Sequence, residues 1–288
     1  MKNLRRYLPH ILFTIIVISA FGICYLLYSQ DHRGNVLKVA FLDIGQGDAI
    51  YIEAPNGKQM LIDAGSGSII LQKLAQVMPF GDRSIDMIVV TNPDKDHIGG
   101  FIDVLENFKV LRVLEAGTKK NTLIYKSFED EVANQKIEKG IALRGMKILL
   151  DKEHNIYFEV LFPDRDVSTW SPNDGSIVGK LVYGSESFML MGDATKYTEL
   201  LITQNENPET LHSQVLKLGH HGSHTSSSEF WLEAVDPDVA IISAGKNNSY
   251  GHPHQDILGR LQSFHIPYLG TYEKGTIIFK TDGTKLSY

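Results

Sequence analysis

Thr91-Asn92-Pro93-Asp94-Lys95-Asp96-His97-Ile98-Gly99-Gly100 is the stretch around which this 288-residue chain is organised. The apolar run Ile85 to Val90 before it reads as a buried strand, and Ile98 to Asn107 after it reads as a short helix. Two carboxylates and an imidazole therefore fall on one strand-to-helix loop. Residues two apart on extended backbone project to the same side, so Asp94 and Asp96 converge. His97 follows at once, and Gly99-Gly100 let the backbone approach closely. Oxygen and nitrogen ligands crowded this tightly repel one another unless a cation sits among them. Read alone, the stretch equally fits a solvated charged turn with Asp96 as a helix N-cap, so the rest of the chain has to decide.

Working outward, the preceding segment is strand-rich: Leu37 to Asp43, Ala49 to Glu53, and Gln59 to Asp63, the last two joined by the Pro55-Asn56-Gly57 turn. Ile69 to Met78 has helical spacing. Beyond the loop come a strand at Val110 to Leu114, a helix at Leu123 to Ala133, and strands at Ile141 to Leu150 and Tyr157 to Leu161. The pattern then restarts with a hairpin about Gly184 (Ser176 to Val182, Ser187 to Met191) and a helix at Lys196 to Thr203. Strands at Val215 to Leu218, Val239 to Ser243 and Gly275 to Lys280 alternate with helices at Ser228 to Ala234 and Gln255 to Phe264. Two runs of strands, each followed by helices, fit two sheets packed face to face with helices outside.

The strands end repeatedly in polar loops. Asp63 closes one apolar strand. Asp193 directly follows Phe188-Met189-Leu190-Met191-Gly192, where an acid is costly to bury without a partner. Asn173-Asp174-Gly175-Ser176 has turn composition. His220, His221 and His224 fall within five residues after a buried strand, and His252 and His254 follow another. With His97, six of the eleven histidines lie in these loops, and neutral imidazole is the commonest transition-metal ligand.

The first residues are basic (Lys2, Arg5, Arg6), and Ile11 to Tyr28 is free of charge for eighteen residues. That length crosses a bilayer as a helix. An uncleaved anchor over residues 1–30 is expected, with a linker at 31–35 and a domain at 36–288. The basic end lies inside and the domain is extracytoplasmic; secretion after cleavage is the alternative. The single cysteine, Cys24, falls in this segment, so the domain has neither a disulfide nor a thiolate ligand. Removing the three basic residues of the first thirty from the 28 Lys and Arg leaves 25 against 34 Asp and Glu, a charge of −9. Such a domain is a poor general binder of nucleic acid, which weighs against a nucleic-acid scaffold and, more mildly, against long duplex DNA as a substrate.

Taken in order, Asp63-Ala64-Gly65, the Asn92 to Gly100 loop, Gly192-Asp193-Ala194 and Gly219-His220-His221-Gly222-Ser223 resemble the metallo-β-lactamase superfamily. Phe41-Leu42-Asp43-Ile44-Gly45-Gln46-Gly47-Asp48-Ala49, Asn173 to Ser176 and Tyr250 to Pro253 further resemble the extracytoplasmic hydrolase-like domain of ComEC competence proteins. The likeness runs from Val36 to about Lys280, while the polytopic channel of those proteins has no counterpart, since one apolar segment is present.

The resemblance implies an α/β (α+β) fold, a four-layer αββα sandwich, with one or two divalent ions, zinc or manganese, along a sheet edge. Asn92 and Asp94 stand where the family's loop has its first two histidines, which implies a weak first site, since an amide binds through oxygen alone. The ligands implied are Asp94, Asp96, His97, Asp193 as a bridge, and His220. Asp63, Asn92, Asn173 and Ser223 line the site, and His221 or His252 lies beside the substrate. The expected activity is metal-assisted hydrolysis of a phosphodiester, in DNA or a nucleotide, with Asp96 orienting water. His221 or His252 would protonate the leaving oxygen. The rivals are a non-catalytic binding module that keeps the fold, for which Asn92 argues, and hydrolysis of esters, thioesters, lactones or lactams.

Overall fold

In the computed structural model of the protein, backbone is described for residues 2–31 and 34–288, and side chains for 7–24 and 34–288. Residues 32 and 33 of the expected linker, and the side chains of Lys2, Arg5 and Arg6, lie outside the described residues. The helix Lys2–Asp31 contains Tyr7–Cys24, 18 residues of mean hydropathy 2.0 with none of the window buried. Among the described residues it is the one helix long and apolar enough to cross a membrane.

The strands are β1 (Leu37–Phe41), β2 (Ile50–Glu53), β3 (Gln59–Ile62), β4 (Ser84–Ile85), β5 (Met87–Val90), β6 (Lys109–Val110), β7 (Arg112–Glu115), β8 (Glu138–Ile141) and β9 (Lys147–Asp151). They continue as β10 (Ile156–Phe162), β11 (Val178–Tyr183), β12 (Glu186–Leu190), β13 (Val215–Lys217), β14 (Val239–Ile242), β15 (Tyr268–Gly270), β16 (Ile277–Thr281) and β17 (Leu286–Ser287). One large sheet has the order β17-β16-β1-β2-β3-β5-β7-β8, the second β15-β14-β13-β12-β11-β10-β9, and β4 pairs with β6 in a separate two-stranded ladder.

Side-chain alternation along the strands builds three apolar layers. Val39 and Phe41 of the first sheet meet Phe158, Phe188 and Ile241 of the second in the central layer. Phe279 packs edge-on against both Phe41 and Phe188, at 5.9 and 5.8 Å. The intervening Ala40 and the residues Tyr51, Leu61 and Ile88 face the other way, onto Ile70, Leu74, Phe101 and Phe128 of the helices. On the far face of the second sheet, Met189, Leu216 and Ala240 meet Trp231, Leu232, Ile257 and Leu261. Helix, sheet, sheet and helix thus form the expected four-layer αββα sandwich.

Five local readings change, the first being the strand expected at Val110 to Leu114, which breaks at Leu111 into β6, paired with β4, and β7, paired with β5. The strand expected at Ile85 to Val90 breaks at Asp86, whose carboxylate accepts the Gln59 N–H at 2.8 Å. Ile141 to Leu150 is two strands, β8 and β9, parted by a turn at Gly145. The helix after the opening loop begins earlier, at Lys95, and pauses at Gly99-Gly100 before Phe101–Asn107. That pause lets the chain pack on the Asp63 turn: a Cβ at Gly100 would stand 2.1 Å from the Ala64 carbonyl oxygen. Asp96 consequently lies inside the first turn, and the N-cap position belongs to Asp94, whose side chain makes no capping bond.

β3 and β5 are parallel, as are β12, β13 and β14. Asp63, Thr91, Asp193 and His220 all follow the C-terminal ends of these strands. The polar loops of both sheets therefore meet at one edge of the sandwich.

Candidate metal centre

Asp63, at the end of β3, has a left-handed backbone (φ 55°) and is fully buried. Its carboxylate accepts the Thr91 N–H at 2.8 Å and the Thr91 hydroxyl at 2.5 Å. It also faces His97 Nδ1 at 2.8 Å. An ionised carboxylate only accepts, so Nδ1 keeps its proton and His97 Nε2 is the nitrogen that becomes a lone-pair donor once a cation displaces its proton. Nε2 lies 3.0 Å from Asp193 Oδ2 yet makes no hydrogen bond.

His221 is set by the same logic. Its Nδ1 donates to the Ser243 carbonyl at 3.0 Å, leaving Nε2 free. Nε2 lies 3.4 Å from both Asp96 Oδ2 and Asp193 Oδ1. His220 and His221 both have positive φ, 48° and 56°, an arrangement that costs about 1–3 kcal/mol per residue. The surrounding loop holds them there. Ser226 Oγ donates to the Gly219 carbonyl at 2.6 Å, and buried Glu199 accepts the N–H groups of Ser227 and Ser228 at 2.5 and 2.9 Å.

Asp48 and Lys217 complete the floor of the site, a pair that motif reading alone did not single out as functional. Both are buried, and the Lys217 ammonium donates to Asp48 Oδ2 and, at 3.1 Å, to the Gly192 carbonyl. Asp48 Oδ1 faces His221 Nδ1 at 3.3 Å. One ammonium therefore ties together the loops that carry Asp48, Asp193 and His221. The available signal was Lys217 in an otherwise apolar strand, Val215-Leu216-Lys217-Leu218.

The donor set fits a divalent cation. His97 Nε2, His221 Nε2, Asp193 Oδ1 and Asp48 Oδ1 are buried with no hydrogen-bond partner. Asp96, His97 and His221 offer ligand atoms within 4.8 Å of one another, as do Asp48, His97 and Asp193. Mixed carboxylate and imidazole donors suit zinc, manganese or iron. The charges are strongly coupled. Burial opposes protonation of His221, but Asp193 and Asp48 outweigh it and raise the group to about 9. Burial likewise opposes the charged form of His97, and Asp193 and Asp63 raise it well above 6.5. Asp96 is pulled to about 2, against its burial, by His221 and His97. These shifts show that the carboxylates favour positive charge at this point, which protonated imidazoles supply and a divalent cation would supply in their place.

The other sequence candidates sit around this cluster. Asp94, expected as a ligand, is turned outward and pairs with Lys120 at 2.6 Å. Asn92 is buried, its oxygen accepting the Asp94 N–H at 2.8 Å and its amide reaching Ser176 Oγ at 3.3 Å. The two histidines exchange the places expected of them. His220, expected as the last ligand, is partly exposed and 3.9 Å from Asp193, because its left-handed backbone turns the ring toward Asn173 and Thr225. His221, expected with His252 as the alternatives for the place beside the substrate, is the buried one in the cluster. Ser223 bonds Thr225 and so shapes the loop. His252 stands at the rim, its ring 5.5 Å from His220 and 6.0 Å from His221. Burial and the neighbouring imidazoles lower it to about 4.

The geometry agrees with comparisons to known proteins. The chain is 33% identical to ComE operon protein 3 of Bacillus subtilis (strain 168) over 289 residues, 90% of this chain and 35% of that protein. It is 30% identical to competence protein ComA of Neisseria gonorrhoeae over 249 residues, 85% of this chain and 32% of that protein. It thus spans about a third of the length of these curated relatives, which are ComEC-like competence proteins. Among solved structures, the metallo-β-lactamase fold protein YhfI from Bacillus subtilis superimposes with a TM-score of 0.58 at 10% identity, covering 85% of this chain and all of that one. The metallo-beta-lactamase superfamily model matches residues 42–246, more than half of the chain. The chain belongs to the metallo-β-lactamase superfamily.

Proposed function

We propose that the protein is a membrane-anchored, metal-dependent phosphodiesterase acting on single-stranded nucleic acid or a nucleotide. The observation that carries the reading is the convergence of His97 Nε2, His221 Nε2, Asp193 Oδ1 and Asp96 at the sheet edge, three of these atoms buried and unpaired. Asp96, His97, Asp193 and His221 would hold the ion, zinc or manganese. It would supply Lewis acidity toward a phosphoryl oxygen and an acidic water.

The chain's own groups do the rest. Asp63 and the Ser243 carbonyl keep the two imidazoles in the ligating tautomer. Asp96, the least buried carboxylate of the cluster, orients the attacking water. His252 is the rim imidazole left to move a proton, since His221 Nδ1 donates to the Ser243 carbonyl and its unpaired Nε2 would hold the ion. Lowered to about 4, His252 is neutral near pH 7 until a phosphate's charge beside it raises it. Asp94 is paired with Lys120 and the Asn92 oxygen is taken by the Asp94 N–H, so these two residues would not add a second strong ligand set beside Asp96, His97, Asp193 and His221.

A phosphodiester substrate is supported by the relative named a competence protein, and the acidic balance of the domain favours few phosphate contacts over a long duplex. The helix Lys2–Asp31 serves as the anchor, with residues 36–288 as the extracytoplasmic hydrolase domain. The second reading is a non-catalytic module, favoured by the Asp94–Lys120 pair, which removes one family ligand position from the cluster. The test is cleavage of a short single strand by purified protein loaded with manganese or zinc. Cleavage abolished by Asp96→Ala supports the enzyme; an inert protein with full metal content supports the module.

A further inference from the structure

Tyr250 lies on the loop between β14 and the helix Gln255–Ser263, and it is 63% exposed. An exposed tyrosine by itself means little; its setting is specific. Its ring lies nearly parallel to His252, at 5.7 Å and 19°, and His252 is 5.5 Å from His220. Two ring steps therefore lead from solvent to the edge of the metal cluster. One side chain makes four of the hydrogen bonds that hold the loop in this shape. Asn248 donates to the Gly245 and His252 carbonyls at 2.9 and 2.6 Å, and accepts the N–H groups of Tyr250 and His252 at 3.1 and 3.0 Å. The platform is prebuilt, so little conformational freedom is lost when a ligand docks on it.

Resting on the phosphodiesterase reading, we propose that Tyr250, backed by His252, is a stacking subsite for one unpaired base of the substrate, next to the phosphate being cleaved. A flat ring laid on a parallel pair of rings extends the stack, and every base offers such a face, so the subsite is sequence-tolerant. A base inside a duplex is already stacked on both sides, so the subsite selects single strands. Lys246, exposed on the same loop, supplies a cation for a flanking phosphate. A sugar could also lie on a tyrosine face, and the experiment separates the two.

The full-length protein in detergent, loaded with manganese, is titrated with a phosphorothioate-linked single strand carrying 2-aminopurine, and with the same strand carrying an abasic site there. The expected result is quenching of 2-aminopurine by the wild type and by Tyr250→Phe. Tyr250→Ala should lose the quench and bind the base-bearing strand about tenfold more weakly. The abasic strand should bind wild type and Tyr250→Ala alike. Equal quenching and affinity in Tyr250→Ala would overturn the subsite, as would tighter binding of the abasic strand. A wild type that neither binds nor cleaves either strand would instead overturn the phosphodiesterase reading beneath it.

Discussion

Asp63 and Lys217 act on the centre from one layer back, and each has a separable effect. Asp63 holds His97 through Nδ1. Its replacement by alanine frees the ring while leaving the proposed ligands in place, so metal affinity should fall about 10–100-fold, as read by competition with a chromogenic chelator. Lys217 neutralises Asp48 where neither meets water. Lys217→Met leaves a buried carboxylate uncompensated and should cost about 3–5 kcal/mol, seen as a large fall in the thermal midpoint. Adding Asp48→Asn should recover most of that loss. His221 gives the sign of the pH response. Its folded value of about 9 exceeds the ordinary 6.5, because Asp193 and Asp48 overcome the effect of burial. The stability it contributes to metal-free protein is complete below pH 6.5 and is lost as pH rises through 9. The thermal midpoint of chelated protein should therefore fall across that window. Metal-loaded protein should show no such fall, because the ion requires neutral imidazole and binds better as pH rises.

At the scale of elements, what was legible in the sequence followed periodicity and spacing. Alternation in β1 and β16 and the helical spacing of Gln255–Ser263 gave the elements nearly at their ends. The boundaries that moved did so for tertiary reasons: β5 starts late because Asp86 is spent on Gln59, and the helix after Thr91 pauses because Gly99-Gly100 must pack on the Asp63 turn. The loops of the site were legible as clusters of acids and histidines. Which of two adjacent histidines points inward was not, since that depends on two consecutive left-handed residues, rare outside glycine. Asp48 was hidden for another reason, as its partner Lys217 lies 169 residues away. Gly47 belongs to the same junction: its φ of 124° and a Cβ position 2.1 Å from the Asp96 carbonyl leave no room for a side chain. Gly47→Ala should displace the Asp96 turn and lower metal affinity more than it lowers secondary-structure content, compared by chelator competition and circular dichroism.

For the whole molecule, the sandwich brings five parallel strand ends from two sheets to one edge, and the apolar helix Lys2–Asp31 precedes it in the chain. If that helix anchors the domain, alkaline carbonate should leave the full chain in the membrane pellet, and deletion of residues 2–31 should release it. At that edge, Asp96, His97, Asp193 and His221 are proposed to hold one ion. The most direct measurement is metal per chain, by mass spectrometry after equilibration with manganese or zinc and gel filtration, for the wild type and Asp193→Ala. About one ion in the wild type and none in a folded Asp193→Ala is the predicted result. A folded wild type without metal, or a variant that keeps it in full, would contradict the assignment.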